Sequence, residues 1–143
     1  MKKEYLTTSP AQTKKLGERL AKEVLKKKLE KTAFVIGLTG ELGGGKTTFL
    51  QGFAKGLGIK EKILSPTFVI MKKFNNFYHI DCYRIKKTKE LLDLGFKGII
   101  KNPKNIVVIE WADRVKKIMP KSALWIGFEF INEKERKITI RNF

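Results

Sequence analysis

Apolar residues follow two rhythms along this chain. Leu16, Leu20, Ala21, Val24 and Leu25 recur every three or four positions, which predicts a helix with one buried stripe running to about Leu29. Ser9-Pro10-Ala11-Gln12 marks its start, with Ser9 as N-cap, Pro10 at the first helical position and Gln12 where a capping box puts its amide. Residues 33–38, AFVIGL, form a short apolar run with β-branched members and predict a buried strand. Helical spacing returns with Phe49, Leu50, Phe53, Ala54 and Leu57, so one face of residues 46–57 can pack on a sheet, and Gly58 supplies the stop. Phe68 and Ile70, then Phe77 with His79 or Tyr78 with Ile80, suggest two strands joined by a two-residue turn at Asn75-Asn76. Residues 89–94 read as a short helix stopped by Gly95, and Gly98 with Pro103 punctuates a loop. Residues 106–109, IVVI, are apolar on both faces, as in a strand inside a parallel sheet. Residues 124–130 and 137–140 read as a second hairpin around Asn132-Glu133-Lys134.

Between the first predicted strand and the second helix lies GELGGGKT, residues 40–47, which fits the phosphate-binding pattern G-x-x-x-x-G-K-[ST]. Gly43, Gly44 and Gly45 lack Cβ, so the backbone can curl its N–H groups inward and approach phosphate oxygens closely. The positive end of the following helix adds to that anion cradle. Lys46 supplies an ammonium for the β- and γ-phosphates, and the Thr47 hydroxyl is placed to ligate Mg²⁺. Average residue usage would produce the four fixed positions in roughly one chain in a hundred of this size. The strand before and helix after the motif favour nucleoside triphosphate binding over that coincidence.

A phosphate loop alone binds; hydrolysis also needs a carboxylate for the metal shell and a group to orient the attacking oxygen. Glu110 ends the buried apolar strand, on the side of the sheet where the phosphate loop also lies, the position of a Walker-B acid. Its bland alternative is a salt bridge to a nearby lysine. Asp81, in YHIDCY, faces opposite to Ile80 and is either a second active-site acid or a solvent-side strand carboxylate. His79 is the single histidine, and a lone strand histidine reads as a hydrogen-bonded packing residue before it reads as a catalyst. Thr67, after Ser65-Pro66, is a candidate sensor of γ-phosphate or Mg²⁺, as in the mobile threonine loop of GTPases. Trp111 reads as a core or site-wall aromatic.

Composition narrows the setting. The 143 residues, 42% of them hydrophobic, suffice for one domain with one core and leave no room for a second. Lys plus Arg number 31 against 14 Asp plus Glu, a net charge of +17 that favours polyanionic partners. The lysines are scattered, as at Lys26 to Lys28, Lys72-Lys73, Lys86-Lys87 and Lys116-Lys117, so no dedicated basic arm emerges. Direct nucleic-acid contact, an acidic protein partner and a merely lysine-rich surface are all compatible with this charge. Cys82 stands alone, which excludes an intramolecular disulfide and an all-cysteine metal site. No apolar stretch follows the N-terminal lysines and no run is long enough to span a bilayer, so a cytoplasmic location is expected.

Taken together and in this order, GELGGGKTTF, SPTF, YHIDCYR, ELLDLGF and VVIEW resemble the TsaE (YjeE) family of bacterial P-loop ATPases. The resemblance runs from about Ser9 to Trp111, and the last hairpin fits in outline. The phosphate loop by itself would name no family, whereas SPTF followed by YHIDCYR and then EW is specific. The resemblance implies an α/β P-loop fold with a mixed, mostly parallel central sheet flanked by helices. It implies ATP and Mg²⁺ as cofactors and TsaD and TsaB as partners. With them, ATP binding and hydrolysis would serve formation of N6-threonylcarbamoyladenosine next to the anticodon in tRNAs reading codons that begin with A. Carried over by residue, Glu41, Leu42, Gly43, Gly44, Gly45, Lys46, Thr47 and Thr48 would surround the nucleotide. Thr47 and Glu110 would hold Mg²⁺, Lys46, Asp81 and Glu110 would carry the chemistry, and Thr67 would belong to the switch-like loop. Thr8 to Ala11 and Arg136 would border the adenosine. Gly44 in place of the frequent Ala, Cys82 in place of Leu and Ile80 in place of Phe remove no charge or hydroxyl that the mechanism uses.

Competing readings are distinguishable. A small-molecule or nucleoside kinase usually carries an arginine-rich lid, and Arg84 and Arg114 stand alone in this sequence. A GTPase would show D-x-x-G after the Thr67 loop and N-K-x-D, and neither is present. A nucleic-acid-binding module with a regulatory nucleotide site would bind tRNA without the two partners, with steep salt dependence.

Overall fold

A computed structural model describes residues 2–27, 31–40, 45–63 and 70–142. The chain runs β1 (Lys2–Thr7), α1 (Pro10–Lys27), β2 (Phe34–Gly40), α2 (Lys46–Gly56), β3 (Met71–Phe74) and β4 (Phe77–Asp81). It continues with α3 (Thr88–Leu92), α4 (Phe96–Lys101), β5 (Ile106–Glu110), a 3-10 segment (Ala112–Ile118), β6 (Leu124–Phe130) and β7 (Arg136–Asn142). The strands form one sheet in the order β1-β7-β6-β2-β5-β4-β3. The four central strands β6, β2, β5 and β4 run parallel to one another, and the β1–β7, β7–β6 and β3–β4 pairs are antiparallel. The sheet is therefore mixed as expected, with its parallel pairs confined to the centre.

That placement follows from side-chain pattern. β5 is buried at all five positions, as a strand covered on both faces must be. Ile36, Leu38, Val108, Ile126, Phe128 and Ile138 meet Leu16, Ala21 and Val24 of α1 and Phe49, Leu50, Phe53 and Ala54 of α2 in one core. On the other face Val35, Val107, Ile109, Ile80 and Cys82 are covered by Leu91, Phe96, Ala112 and Val115. Fully burying one such side chain contributes about 1.5–3 kcal/mol, so the predicted stripe of α2 is enough to hold it on the sheet. The two helices of the first layer also touch backbone to backbone. A Cβ on Gly52 would lie 1.9 Å from the Lys14 carbonyl oxygen, and one on Gly17 would lie 2.2 Å from that of Phe49.

Helix α1 begins at Pro10, and Gln12 N–H donates to Ser9 Oγ at 3.2 Å. The Gln12 side-chain oxygen accepts from Thr8 N at 2.7 Å, so the reciprocal half of the cap falls one residue before Ser9. The Asn75-Asn76 turn is present, with Phe74 opposite Phe77 and Asn75 at φ 56°, a conformation that Asn tolerates. Phe68 lies outside the described residues.

Three elements differ from the sequence expectation. β1 is almost entirely polar and exposed, with only Thr7 buried. Its pairing with β7, from Lys2 opposite Arg141 to Thr7 opposite Arg136, makes it a strand, and charged residues on an edge strand hide the usual alternation. Residues expected as loop around Gly98 form α4, too short to display a period, which starts after Gly95 at φ 88° and buries Phe96. The 3-10 segment follows Trp111 at φ 56° and had no counterpart in the predicted elements. Among the described residues, no helix is long and apolar enough to cross a membrane.

Candidate phosphate and metal site

Strand alternation delivers the polar groups to one place. Phe77 and Ile106, register partners at the start of β4 and β5, both belong to the core beneath α1 and α2. Stepping by two along each strand leads to His79 and Asp81 on β4 and to Val108 and Glu110 on β5. All of these share the face that carries α2. Asp81 and Glu110 are directly opposite across the parallel ladder, and Leu38 of β2 is opposite Glu110 on its other side. Two carboxylates thus stand at the C-terminal edge of the parallel strands, where ligands of α/β sheets bind.

The phosphate-loop lysine reaches the same edge from the other direction. α2 starts at Lys46 after Gly45, which takes φ 94° as the helix N-cap, and Phe49 N–H donates to Gly45 O at 2.9 Å. Lys46 is buried, its Nζ donates to Gly40 O at 2.6 Å and lies 4.2 Å from the centre of the Trp111 ring. Burial holds the Lys46 ammonium below the ordinary lysine range, against the opposing pull of Glu110, Asp81 and Asp113 in that order. Asp81 is perturbed the other way. Burial raises its carboxyl above the ordinary range, partly offset by the Tyr83 N–H bonded to Oδ1 at 2.9 Å. A desolvated ammonium next to a desolvated carboxylate gains from any ligand that brings phosphate oxygens to the first and a cation to the second.

Among the described residues Glu110 makes no salt bridge to a lysine. Its Oε2 lies 2.7 Å from His79 Nε2, and both side chains are buried. His79 is accordingly a hydrogen-bonded interior residue, as its type suggested, but the group it bonds is the candidate metal ligand. Counting by two from Phe77 puts His79 on the face of Asp81, but no local signal names its partner on the neighbouring strand. Trp111 is a wall of the site: its ring also lies 5.0 Å from that of Tyr83, tilted by 54°, and the Arg114 guanidinium lies 5.3 Å from it.

Thr47 is exposed in the first turn of α2 and Thr48 half-buried beside it. Arg136 comes to the end of the loop: its Cγ lies 3.6 Å from where a Cβ on Gly45 would sit, and the Thr13 methyl is equally close. Thr13 is held by a 2.7 Å hydroxyl contact with Thr7, which ties the end of β1 to the start of α1 beside Gly45. Glu41, Leu42, Gly43, Gly44, Ser65, Pro66 and Thr67 lie outside the described residues. Among the described residues no group of three or more His, Cys, Asp or Glu side chains is arranged to hold a metal ion by itself. The donors that are present, two carboxylates and the Thr47 hydroxyl, are hard oxygens of the kind Mg²⁺ takes in small number alongside phosphates.

A parallel strand ending at Gly40, a helix that opens with Lys-Thr after Gly45, and a neighbouring parallel strand ending in an acid are the mixed α/β arrangement of a P-loop NTPase fold. The family model for the threonylcarbamoyl adenosine biosynthesis protein TsaE matches residues 7–138. The chain is 35% identical over 139 residues to the tRNA threonylcarbamoyladenosine biosynthesis protein TsaE of Bacillus subtilis, covering 94% of this chain and 82% of that one. It is 35% identical over 109 residues to the protein of the same name from Treponema pallidum, covering 74% and 80%. The crystal structure of Bacillus subtilis YdiB superposes with a TM-score of 0.76 at 30% identity, over 99% of this chain and 86% of that one. The chain belongs to the TsaE family of tRNA threonylcarbamoyladenosine biosynthesis proteins.

Proposed function

We propose that this chain binds ATP with Mg²⁺ at residues 40–47 and hydrolyses it weakly, as an energy-coupling subunit working with TsaD and TsaB in threonylcarbamoyladenosine formation on tRNA. The observation that carries this reading is the buried Lys46 ammonium, parked on the Gly40 carbonyl beside Glu110 and Asp81. An ammonium in that position is underused until a polyanion arrives. Lys46 would exchange Gly40 O for phosphate oxygens, a stronger charge-assisted bond. Gly45 and the first N–H groups of α2 would meet the phosphate chain, because they have no helical partner of their own. Thr47 and Glu110 would hold Mg²⁺, which neutralises developing charge on the phosphates when bound. Asp81, fixed by Tyr83 N–H, would accept from water in the metal shell. Arg136 and Thr13 would border the adenosine side, where they flank Gly45.

Weak turnover by the isolated chain follows if a partner completes the site, since a missing transition-state group can account for about 10³–10⁵ in rate. Contact with tRNA would run through the complex of the three proteins, in the cytoplasm. The test is ATP hydrolysis measured with and without TsaB and TsaD. The reading expects a low basal rate, a higher rate with both partners, loss of both in Lys46→Ala, and loss of hydrolysis with partial retention of nucleotide binding in Glu110→Ala. Full activity in either variant would remove the site assignment, and a phosphorylated metabolite in place of free phosphate would make the protein a kinase.

A further inference from the structure

The interior bond between His79 and Glu110 is more specific than packing requires. Glu110 is only 4% exposed and His79 1% exposed. A carboxylate buried so deeply must be hydrogen-bonded to be tolerated. With Glu110 ionised, as a Mg²⁺ ligand must be, its oxygen only accepts, and His79 Nε2 is then the donor in the 2.7 Å contact. The other ring nitrogen, Nδ1, is buried and has no hydrogen-bond partner among the described residues. Buried polar atoms are nearly always paired, and here the ring is oriented so that the nitrogen facing Glu110 is satisfied at the expense of the other. The backbone fixes this choice. His79 is opposite Val108, which makes Glu110 its diagonal neighbour across a parallel ladder buried on both sides. Only Oε2 of Glu110 is engaged by the imidazole.

We propose that His79 is a positioning residue whose Nε2–H holds Oε2 of Glu110 and so reserves the other carboxylate oxygen for the Mg²⁺ of bound nucleotide. The inference rests on the Mg²⁺–ATP reading above. Hydrogen-bond partners of this kind orient metal ligands, and their loss typically costs about 10–100-fold in metal affinity or activity.

The experiment titrates Mn²⁺, a paramagnetic stand-in for Mg²⁺, into the full chain with a non-hydrolysable ATP analogue. Wild type, His79→Leu and His79→Gln are compared by electron paramagnetic resonance, with thermal melting in parallel. Loss of the donor in His79→Leu is expected to weaken Mn²⁺ binding by about 10–100-fold, while metal-free nucleotide affinity changes little. His79→Gln places an amide nitrogen where Nε2 sits and should recover most of the loss. Equal Mn²⁺ affinity in wild type and His79→Leu overturns the positioning role, even if the variant melts lower, and so does a His79→Gln as weak as His79→Leu. Absence of Mn²⁺ uptake by the wild type overturns the Mg²⁺–ATP reading and the inference with it. If His79→Leu does not fold, ¹⁵N spectra of the wild-type imidazole decide the matter. An Nε2-protonated ring whose signals move when Mg²⁺ joins the nucleotide complex is expected; an Nδ1-protonated ring or unmoved signals contradict it.

Discussion

Replacing Gly52 with Ala tests whether the approach of α1 to α2 sets the geometry of the phosphate loop. A helix-interior Gly→Ala change by itself stabilises by about 1 kcal/mol. Here the new methyl would lie 1.9 Å from Lys14 O, 2.7 Å from its carbonyl carbon and 3.0 Å from its Cα. The obstacle is helix backbone, which cannot swing aside as a side chain would, so α1 and α2 must separate by roughly an ångström. Overpacking costs about 1–3 kcal/mol, and a rigid obstacle places this site at or above the upper end. The net effect is destabilisation by about 2 kcal/mol, or a melting temperature lower by about 7 °C for a domain of this size. Separation also draws Thr13 away from Gly45, so half-saturation by nucleotide should rise. Gly17→Ala, which meets Phe49 O at 2.2 Å, should act in the same direction. The double variant should cost less than the sum, because one separation relieves both contacts. Gly98→Ala is the control: a Cβ there has nothing within 4 Å, so it should gain stability from helix propensity alone. Differential scanning calorimetry of the four variants checks the series. A Gly52→Ala protein that melts at or above wild type would refute the reasoning.

Two further predictions concern titratable groups. Burial raises the Asp81 carboxyl above its ordinary value of 3.8, so the folded chain holds that proton to higher pH than the unfolded chain does. The associated stability is fully present below pH 3.8 and is lost as pH rises through the raised folded value. Asp81→Asn keeps an acceptor for Tyr83 N–H, and should melt above wild type at neutral pH with the difference closing in acid. An unchanged difference across a pH series of melts would contradict this. Burial pushes the Cys82 thiol up to about 12, and the side chain is fully enclosed. Alkylation at pH 8 should therefore be negligible in the folded protein and prompt in denaturant; mass spectrometry showing rapid labelling of the native chain would refute it.

The centre of the molecule was legible because there side-chain pattern and structure are the same fact. β5 is apolar on both faces and lies between two parallel neighbours, and the stripe of Phe49, Leu50, Phe53 and Ala54 is the buried face of α2. The acids were legible for the same reason, since Asp81 and Glu110 each end a strand of strong apolar character. What escaped the pattern was structure made by pairing or by single residues. β1 exists through its ladder with β7, and its Lys-Lys-Glu sequence carries no stripe. α4 and the 3-10 segment begin after Gly95 and Trp111, both at positive φ, and are too short for a period to show. The hydrogen bond from His79 to Glu110 was invisible because it joins residues on two strands whose relative register no local signal specifies.

The most direct measurement of the central claim is a crystal structure of the chain with Mg²⁺ and a non-hydrolysable ATP analogue. The account predicts the triphosphate against Gly45, Lys46 and Thr47, Lys46 Nζ moved from Gly40 O onto phosphate, and Mg²⁺ beside Thr47 and Glu110. Nucleotide bound at another surface, or Glu110 turned away from the metal, would contradict it.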